Sequence, residues 1–174
     1  MRCFVAVDIP EEIKEKIATA QEELAGLDVK LVEKENLHFT LKFLGEVDEG
    51  KMKAAMKKLD EVHSDPFNVM LKGIGFFPSS SFIRVVWAGC QSQEFLNLHL
   101  EVNAVLSDMF PKEKPVPHLT LARVRSQGCR QKLLDFEKKH NETMGSFEVS
   151  QIKIKSSIVT RQGPVYNDVK VWDL

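Results

Sequence analysis

The sequence predicts a mixed fold of helices and strands, in which a duplicated unit forms two pseudo-symmetric lobes that meet at a cleft. First, the order strand, helix, strand, helix, strand occurs in each half of the 174-residue chain. Second, a His-x-Thr-Leu motif begins at His38 and again at His118, 80 residues later. Third, the same offset aligns a Phe-x-Val triplet at Phe67 with one at Phe147. This period is too long for a solenoid, so two copies of one larger unit are expected.

The elements of the first half follow from its hydrophobic pattern. A β-rich run at the start is followed by Pro-Glu-Glu, which opens an amphipathic helix with Ile13, Ile17 and Leu24 on one face. Later apolar runs end at turn residues such as Gly45 and predict strands. The predicted elements are strands at 2–9, 29–32, 36–45 and 67–76, and helices at 10–26 and 48–63.

The second half repeats this order. With 43% hydrophobic residues, the chain is able to bury a substantial core at the usual size of one domain. We expect a single domain over residues 1–174, with a repeat boundary between its lobes near 78–82, where Pro-Ser-Ser-Ser is linker-like. The predicted elements are strands at 83–88, 118–124, 147–154 and 165–172, and helices at 91–110 and 129–140.

Composition excludes several classes of protein. The 24 Lys and Arg residues against 25 Asp and Glu leave a net charge of −1, which argues against coating long nucleic acid but allows a local basic pocket. The N-terminal apolar run is cut short by Asp8, so neither a signal peptide nor a membrane span is expected, and the predicted location is cytoplasmic. Three widely spaced cysteines indicate neither a disulfide framework nor a metal site.

The two His-x-Thr motifs are the residues best suited to chemistry. Residues two apart share a face of a strand, so His38 and Thr40 project together, as do His118 and Thr120. One such pair is usually only a half-buried polar pair, but a pseudo-twofold axis would bring both pairs to one cleft. One imidazole would then accept a proton while the other donates one, and the hydroxyls would bind phosphate oxygens. This pattern suits phosphoryl chemistry without a metal.

Each motif also has distinctive flanking residues. The first reads HFTLKFLG from His38, the second reads HLTLAR from His118, and the chain opens with RCFVAVDI at residues 2–9. Together they resemble the paired signatures of the two-histidine (2H) phosphoesterase superfamily, and in particular its RNA 2′,3′-cyclic phosphodiesterase branch, long called 2′-5′ RNA ligase. The resemblance extends over essentially the whole chain.

The resemblance implies an α+β fold of two lobes, with two antiparallel sheets lining a central cleft and helices outside. It implies hydrolysis of an RNA 2′,3′-cyclic phosphate to a 2′-phosphate, and family members also join RNA ends through a 2′-5′ linkage. By analogy, His118 would activate water, His38 would protonate the departing 3′ oxygen, and Thr40 and Thr120 would hold the phosphate.

Two further site residues come from the same analogy. Arg123 would add a charge-assisted contact to the phosphate, and Phe43 would stack on a base. Each lies five residues after its histidine, an odd interval that places it on the opposite face of a regular strand. A bulge or strand end near Ala122 is needed to turn Arg123 toward the cleft. For Phe43, a place in the core is an equal alternative.

Other polar residues have weaker claims. Lys42 shares the face of His38 and Thr40 in a regular strand, which would allow it to approach the phosphate, although a lysine near a strand end is usually only solvated. His99 interrupts an apolar helix face and is interpreted as a helical histidine whose hydrogen bonds are satisfied. His63 and His140 lie near predicted helix ends, where a cation is favourable without any catalytic role. No metal-binding or Gly-rich phosphate motif is present, so no metal and no cofactor are expected.

The motifs specify the phosphate and leave the rest of the substrate open. The expected partners are RNA ends bearing a 2′,3′-cyclic phosphate, with tRNA fragments among them, and a monomer that does not bind membranes is expected. One alternative is a phosphodiesterase acting on 2′-5′-linked oligonucleotides or other nucleotide cyclic phosphates. Another is a noncatalytic protein that binds RNA ends through the same histidines.

Overall fold

The computed structural model describes residues 1–161 and 163–174, and its elements follow the predicted order. The helices in this part of the chain are α1 (Glu11–Gln21), α2 (Glu49–Leu59), α3 (Gln93–Val105) and α4 (Arg130–Lys139). The strands are β1 (Arg2–Asp8), β2 (Val29–Leu31), β3 (His38–Glu46), β4 (Phe67–Ser79), β5 (Phe82–Gln91), β6 (His118–Val124), β7 (Thr143–Val149), β8 (Gln151–Val159) and β9 (Pro164–Asp173).

The strands form one antiparallel sheet in the order β7-β4-β5-β6-β3-β1-β8-β9, with β2 paired to β6. The α+β class is therefore confirmed, but the expected two sheets are joined into one. The junction is the antiparallel pair between Phe39 of β3 and Leu119 of β6. Each of these residues directly follows a histidine, so the two motifs meet where the halves of the sheet are joined.

The two repeats exchange their last strands. The 80-residue offset carries β1 onto β5 and β3 onto β6. It carries the first three residues of β4 onto the end of β7, and residues 71–79 of β4 onto β8. In the sheet, β4 from the first repeat pairs with β5, and β8 from the second repeat pairs with β1. Each half of the sheet therefore needs both repeats, and the turn at residues 80 and 81 closes a β4–β5 hairpin within one half.

One predicted strand is divided in the structure. The expectation of a continuous strand at 147–154 was wrong, because β7 ends at Val149 and pairs with β4, whereas β8 begins at Gln151 and pairs with β1. The chain thus passes between the two ends of the sheet at Ser150. The sheet must curve for this to happen, and the ring of Phe147 in outer β7 lies 6.4 Å from that of Phe39 in central β3.

The helices cover the face of the sheet that lies opposite the histidines. In β3, the fully buried Phe39 and Leu41 alternate with the partly exposed His38 and Thr40. Phe39 packs against Phe95 of α3, with ring centroids 5.0 Å apart. The cleft lies on the other face of the sheet, the face that carries the histidines. No helix in the described residues is long and apolar enough to cross a membrane.

Candidate active site

The two motifs place four polar side chains next to one another on one face of the sheet. Phe39 pairs with Leu119, so in an antiparallel register His38 lies opposite Thr120, and Thr40 lies opposite His118. All four side chains line one cleft of about 520 Å³. The structure therefore brings together the two histidines and two threonines that the sequence singles out.

A β-bulge follows each motif and decides which later side chains reach the cleft. In β6, Ala122 pairs with Val86 and Thr120 with Trp87, so Leu121 is skipped. The register of β6 confirms the predicted bulge near Ala122. Leu121 and Ala122 are both buried, and Arg123 is exposed and lines the cleft.

The first motif has the same irregularity. In β3, Lys42 pairs with Val5 and Thr40 with Ala6, so Leu41 is skipped. Phe43 consequently lines the cleft with 57% of its surface exposed, and does not lie in the core. The bulge turns Lys42 in the opposite direction.

Lys42 neither approaches a phosphate in the cleft nor is solvated, so both alternatives for this residue are wrong. Its side chain has no exposed surface. The ammonium donates to Asn103 Oδ1 at 2.8 Å and to the carbonyl of Pro111, and lies 4.0 Å from Glu113. A buried charge needs such partners, and these hold it on the helix side of the sheet.

Both histidines are oriented by backbone carbonyls two residues earlier. His38 Nδ1 lies 2.6 Å from the carbonyl oxygen of Asn36, and His118 Nδ1 lies 2.6 Å from that of Val116. Because a carbonyl oxygen only accepts, each Nδ1 carries a proton and donates it. Nε2 is then the nitrogen that each ring offers to a ligand. In His38, Nε2 lies 3.0 Å from Thr40 Oγ1, whose hydroxyl donates when the ring is neutral.

Burial shifts the titration of both rings. It lowers the pKa of His38 to about 4, although the hydrogen bond to Asn36 acts in the opposite direction. Burial also lowers the pKa of His118 below 6.5, against the hydrogen bond to Val116, and the positive charge of Arg123 adds to the decrease. Both histidines are therefore neutral at pH 7 when the cleft holds no anion.

Aromatic rings surround each histidine and were not identified from the sequence. His38 lies 4.8 Å from the Phe4 ring and 5.3 Å from that of Tyr166. His118 has an edge contact with Phe77 at 4.9 Å, and the Trp87 ring lies 6.1 Å away. These rings pack against the sides of both imidazoles and limit their movement. They also shield the imidazoles from water, and this burial lowers the pKa values of both histidines.

Three exposed basic side chains line the cleft. Arg2, Lys30 and Arg123 all line it and are exposed. Lys30 lies 3.7 Å from Glu33, another cleft residue. Although the whole chain has a net charge of −1, this region is suited to an anionic ligand.

Comparison with known proteins decides the family. The RNA 2′,3′-cyclic phosphodiesterase of Methanocaldococcus jannaschii is 45% identical over 175 residues, covering 99% of this chain and all of that protein. A family model described as LigT-like phosphoesterase matches residues 7–87. The chain belongs to the LigT-like phosphoesterase family.

Two solved structures have the same fold. A Thermus thermophilus protein superposes with a TM-score of 0.83 at 27% identity, covering 100% of this chain and 98% of that one. Escherichia coli LigT in complex with 3′-AMP superposes with a TM-score of 0.80 at 27% identity, covering 99% and 97% of the two chains. The match covers both halves of the sheet and therefore both motifs.

The remaining histidines of this LigT-like phosphoesterase lie outside the cleft. His63 is exposed after the end of α2. His140 follows the last residue of α4, and its Nε2 lies 3.0 Å from Glu23 Oε1. His99 is buried in α3, and burial lowers its pKa to about 4. The expectation of a fully hydrogen-bonded ring is wrong, because its Nδ1 has no hydrogen-bond partner among the described residues. Of the missed cleft residues, Tyr166 had no recognisable signal, because it comes from the last strand, far from either motif in sequence.

Proposed function

We propose that this chain hydrolyses RNA 2′,3′-cyclic phosphates to 2′-phosphates by acid–base catalysis with His38 and His118. The observation that carries the proposal is the shared orientation of the two rings. Each donates Nδ1–H to a carbonyl two residues earlier, which leaves two Nε2 atoms for one cleft. The names of the relatives, RNA 2′,3′-cyclic phosphodiesterases, support the choice of substrate.

His118 is the proposed base. In its neutral form, with the proton on Nδ1, the Nε2 lone pair accepts a proton from water as the oxygen attacks phosphorus. The lowered pKa keeps this ring neutral at physiological pH. The hydrogen bond to Val116 then stabilises the imidazolium that forms, because a carbonyl oxygen is a better acceptor for a charged donor.

His38 is the proposed acid. Its Nε2 gives a proton to the 3′ oxygen as the bond from phosphorus to that oxygen breaks, and the 2′ oxygen keeps the phosphate. Burial disfavours the charged ring in the free enzyme, so an anionic substrate must raise its pKa on binding. Thr40 then donates its hydroxyl hydrogen to the phosphate, since a protonated Nε2 no longer accepts it.

The other site residues bind the substrate. Thr120 donates to a nonbridging phosphate oxygen, and Arg123 adds a charge-assisted contact. Phe43 offers an exposed ring on which a base stacks. None of these steps requires a metal or a cofactor. Each such donor typically contributes up to a few kcal/mol, and general acid–base catalysis contributes about 10² to 10⁴ in rate for each proton transfer.

Ligation follows from the same geometry. A 5′-hydroxyl of a second RNA replaces water, His118 accepts its proton, and attack on phosphorus forms a 2′-5′ linkage while the 3′ oxygen leaves with a proton from His38. The products of hydrolysis and ligation differ only in the nucleophile. Incubation of a cyclic-phosphate RNA with a 5′-hydroxyl RNA, followed by electrophoresis, tests whether a joined product forms.

The decisive experiment is turnover of 2′,3′-cyclic AMP and of a cyclic-phosphate RNA by the purified protein in excess EDTA. We expect complete conversion to the 2′-phosphate, identified by chromatography against the 3′-phosphate standard. Saturable binding without turnover would instead support the noncatalytic RNA-end binder. Faster cleavage of 2′-5′-linked oligonucleotides than of either cyclic phosphate would support the alternative substrate. Activity that disappears in EDTA and returns with a divalent cation contradicts the metal-independent mechanism.

A further inference from the structure

A buried side-chain amide holds the bulge that follows His118. Leu121 is the residue skipped in pairing with β5, and its carbonyl oxygen accepts from Gln21 Nε2 at 2.8 Å. The same amide donates to the Val32 carbonyl at 3.0 Å, and the Val32 amide donates to Leu121 at 2.9 Å. Gln21 is only 4% exposed, so water does not readily replace it.

The bulge that follows His38 has an equivalent donor. Leu41 is the skipped residue in pairing with β1, and its carbonyl oxygen accepts from Asn103 Nδ2 at 3.1 Å. Asn103 is 8% exposed, and its Oδ1 accepts from the buried Lys42. Two bulges at repeat-related positions are thus each bonded to a carboxamide.

The donors cross between the repeats. Gln21 ends α1 in the first repeat and contacts β6 of the second, whereas Asn103 in α3 of the second repeat contacts β3 of the first. Each also lies eight residues after an apolar residue of a buried helix face, Ile13 for Gln21 and Phe95 for Asn103. A polar group in such a position needs a hydrogen-bond partner, and the bulge carbonyl is that partner.

We propose that Gln21 and Asn103 are positioning residues that stabilise the bulged form of β6 and β3 and so keep Arg123 and Phe43 in the cleft. A regular strand would turn those two side chains to the buried face, because a one-residue slip reverses the direction of every side chain beyond it. Without its carboxamide, each bulge carbonyl loses a buried hydrogen-bond donor, and the bulged form loses that stabilisation. The roles assigned to Arg123 and Phe43 rest on the proposed function.

The first test is a pair of double-mutant cycles on Gln21. Gln21→Met keeps the length of the side chain and removes both N–H donors. We expect it to lower kcat/KM for 2′,3′-cyclic AMP about tenfold in the wild-type background and by less than about twofold in Arg123→Ala, because the arginine it positions is already absent. In Phe43→Ala the tenfold loss should remain. Equal losses in all three backgrounds would overturn the proposal.

Gln127→Met is the matched control. Gln127 also bonds a strand through its side-chain amide, donating to the Ile83 carbonyl at 2.7 Å and accepting from the Ile83 amide at 3.0 Å, but Ile83 lies in no bulge of a motif strand. The Gln127→Met variant should lower the melting temperature about as much as Gln21→Met, and its kcat/KM should stay within about twofold of wild type. The same loss of activity in the control would mean that Gln21 acts only through stability.

The second test uses Asn103→Asp, because Asn103→Leu would strand the Lys42 charge and endanger folding. The aspartate keeps an acceptor for Lys42 and removes the donor to Leu41. Asn103→Asp should lower activity in the wild-type and Arg123→Ala backgrounds but not in the Phe43→Ala background. This is the reverse of the result expected for Gln21→Met. A loss that persists in Phe43→Ala contradicts the assignment of Asn103.

A binding measurement separates this inference from the proposed function. The Gln21 and Arg123 cycle is repeated with the dissociation constant for 2′-AMP, which needs no turnover. If the wild type fails to hydrolyse cyclic phosphates, the proposed function is wrong, while coupling of Gln21 with Arg123 in binding still supports the positioning role. If turnover occurs but neither cycle shows coupling, the positioning role alone is wrong.

Discussion

Phe39 lies opposite Leu119 in the antiparallel pair that joins the two halves of the sheet. Both side chains are fully buried, so the preceding histidines and the following threonines project to the other face. The pair thereby fixes the separation of the two catalytic groups proposed here. Any repacking of Phe39 or Leu119 is expected to alter both halves of the site together.

Removal of either histidine should abolish most of the activity. We expect His38→Ala and His118→Ala each to lower cyclic-phosphate hydrolysis by at least about a hundredfold in steady-state assays, while thermal unfolding stays cooperative. The double variant should lose far less than the product of the single losses, because acid and base act in one step. His63→Ala is the control, since His63 is exposed outside the cleft. Near-normal turnover in a folded His38 or His118 variant contradicts the mechanism.

A sulfur-substituted substrate should identify the acid. A 3′ alkoxide needs a proton to leave, whereas a thiolate, whose acid has a pKa nearer neutrality, departs unaided. Replacing the bridging 3′ oxygen by sulfur should therefore restore a large part of the activity of His38→Ala and little of that of His118→Ala, measured as the ratio of rates on the two substrates. Rescue of His118→Ala instead would reverse the two roles.

The pH dependence should differ between kcat/KM and kcat. Burial lowers the pKa of His38 to about 4 and that of His118 below 6.5. As the pH rises, the free enzyme therefore loses the proton that His38 needs as the acid, while His118 becomes neutral and able to act as the base. A bell-shaped kcat/KM profile with its maximum below about pH 6.5 follows. An anionic substrate raises both pKa values, so the kcat optimum should lie at higher pH. Flat profiles between about pH 5 and 9 would contradict paired titration.

Gly75 makes room for an aromatic side chain beside His118. Gly75 pairs with Trp87 across β4 and β5, and a Cβ at this position would lie 2.2 Å from the indole ring. Gly75→Ala should therefore displace Trp87, destabilise the fold by about 1 to 3 kcal/mol and lower kcat. Denaturant unfolding and steady-state kinetics measure the two effects.

Gly50→Ala is the control for that substitution. Gly50 lies in α2, where an added Cβ has only an ordinary contact of 3.4 Å with Asp48. Alanine is favoured over glycine in a helix, and at the second residue of α2 the gain is less than the roughly 1 kcal/mol of a helix interior. This variant should therefore be at least as stable as wild type and equally active. Unchanged stability and activity in Gly75→Ala would mean that the Trp87 ring is free to shift without consequence.

The sequence alone determined the elements that carry the site. Hydrophobic periodicity is local, so it predicts where strands and helices occur and which face of a strand a residue occupies. It therefore placed His38 with Thr40, and His118 with Thr120, and the equal offset indicated that both pairs belong to one site. The family resemblance supplied the expectation that Arg123 joins them.

The tertiary structure decided which neighbours complete the site. Alternation with a period of two puts Lys42 on the face of His38, and only pairing with β1 shows that Leu41 is skipped and Lys42 buried. A bulge is set by the partner strand and by donors such as Gln21, 100 residues from Leu121 in sequence. The exchange of strands between the repeats and the contact of Tyr166 with His38 also join residues that are far apart in sequence. Local sequence patterns describe each helix or strand separately. They do not predict the bulges, the strand exchange or the Tyr166 contact, because these depend on which elements pack together.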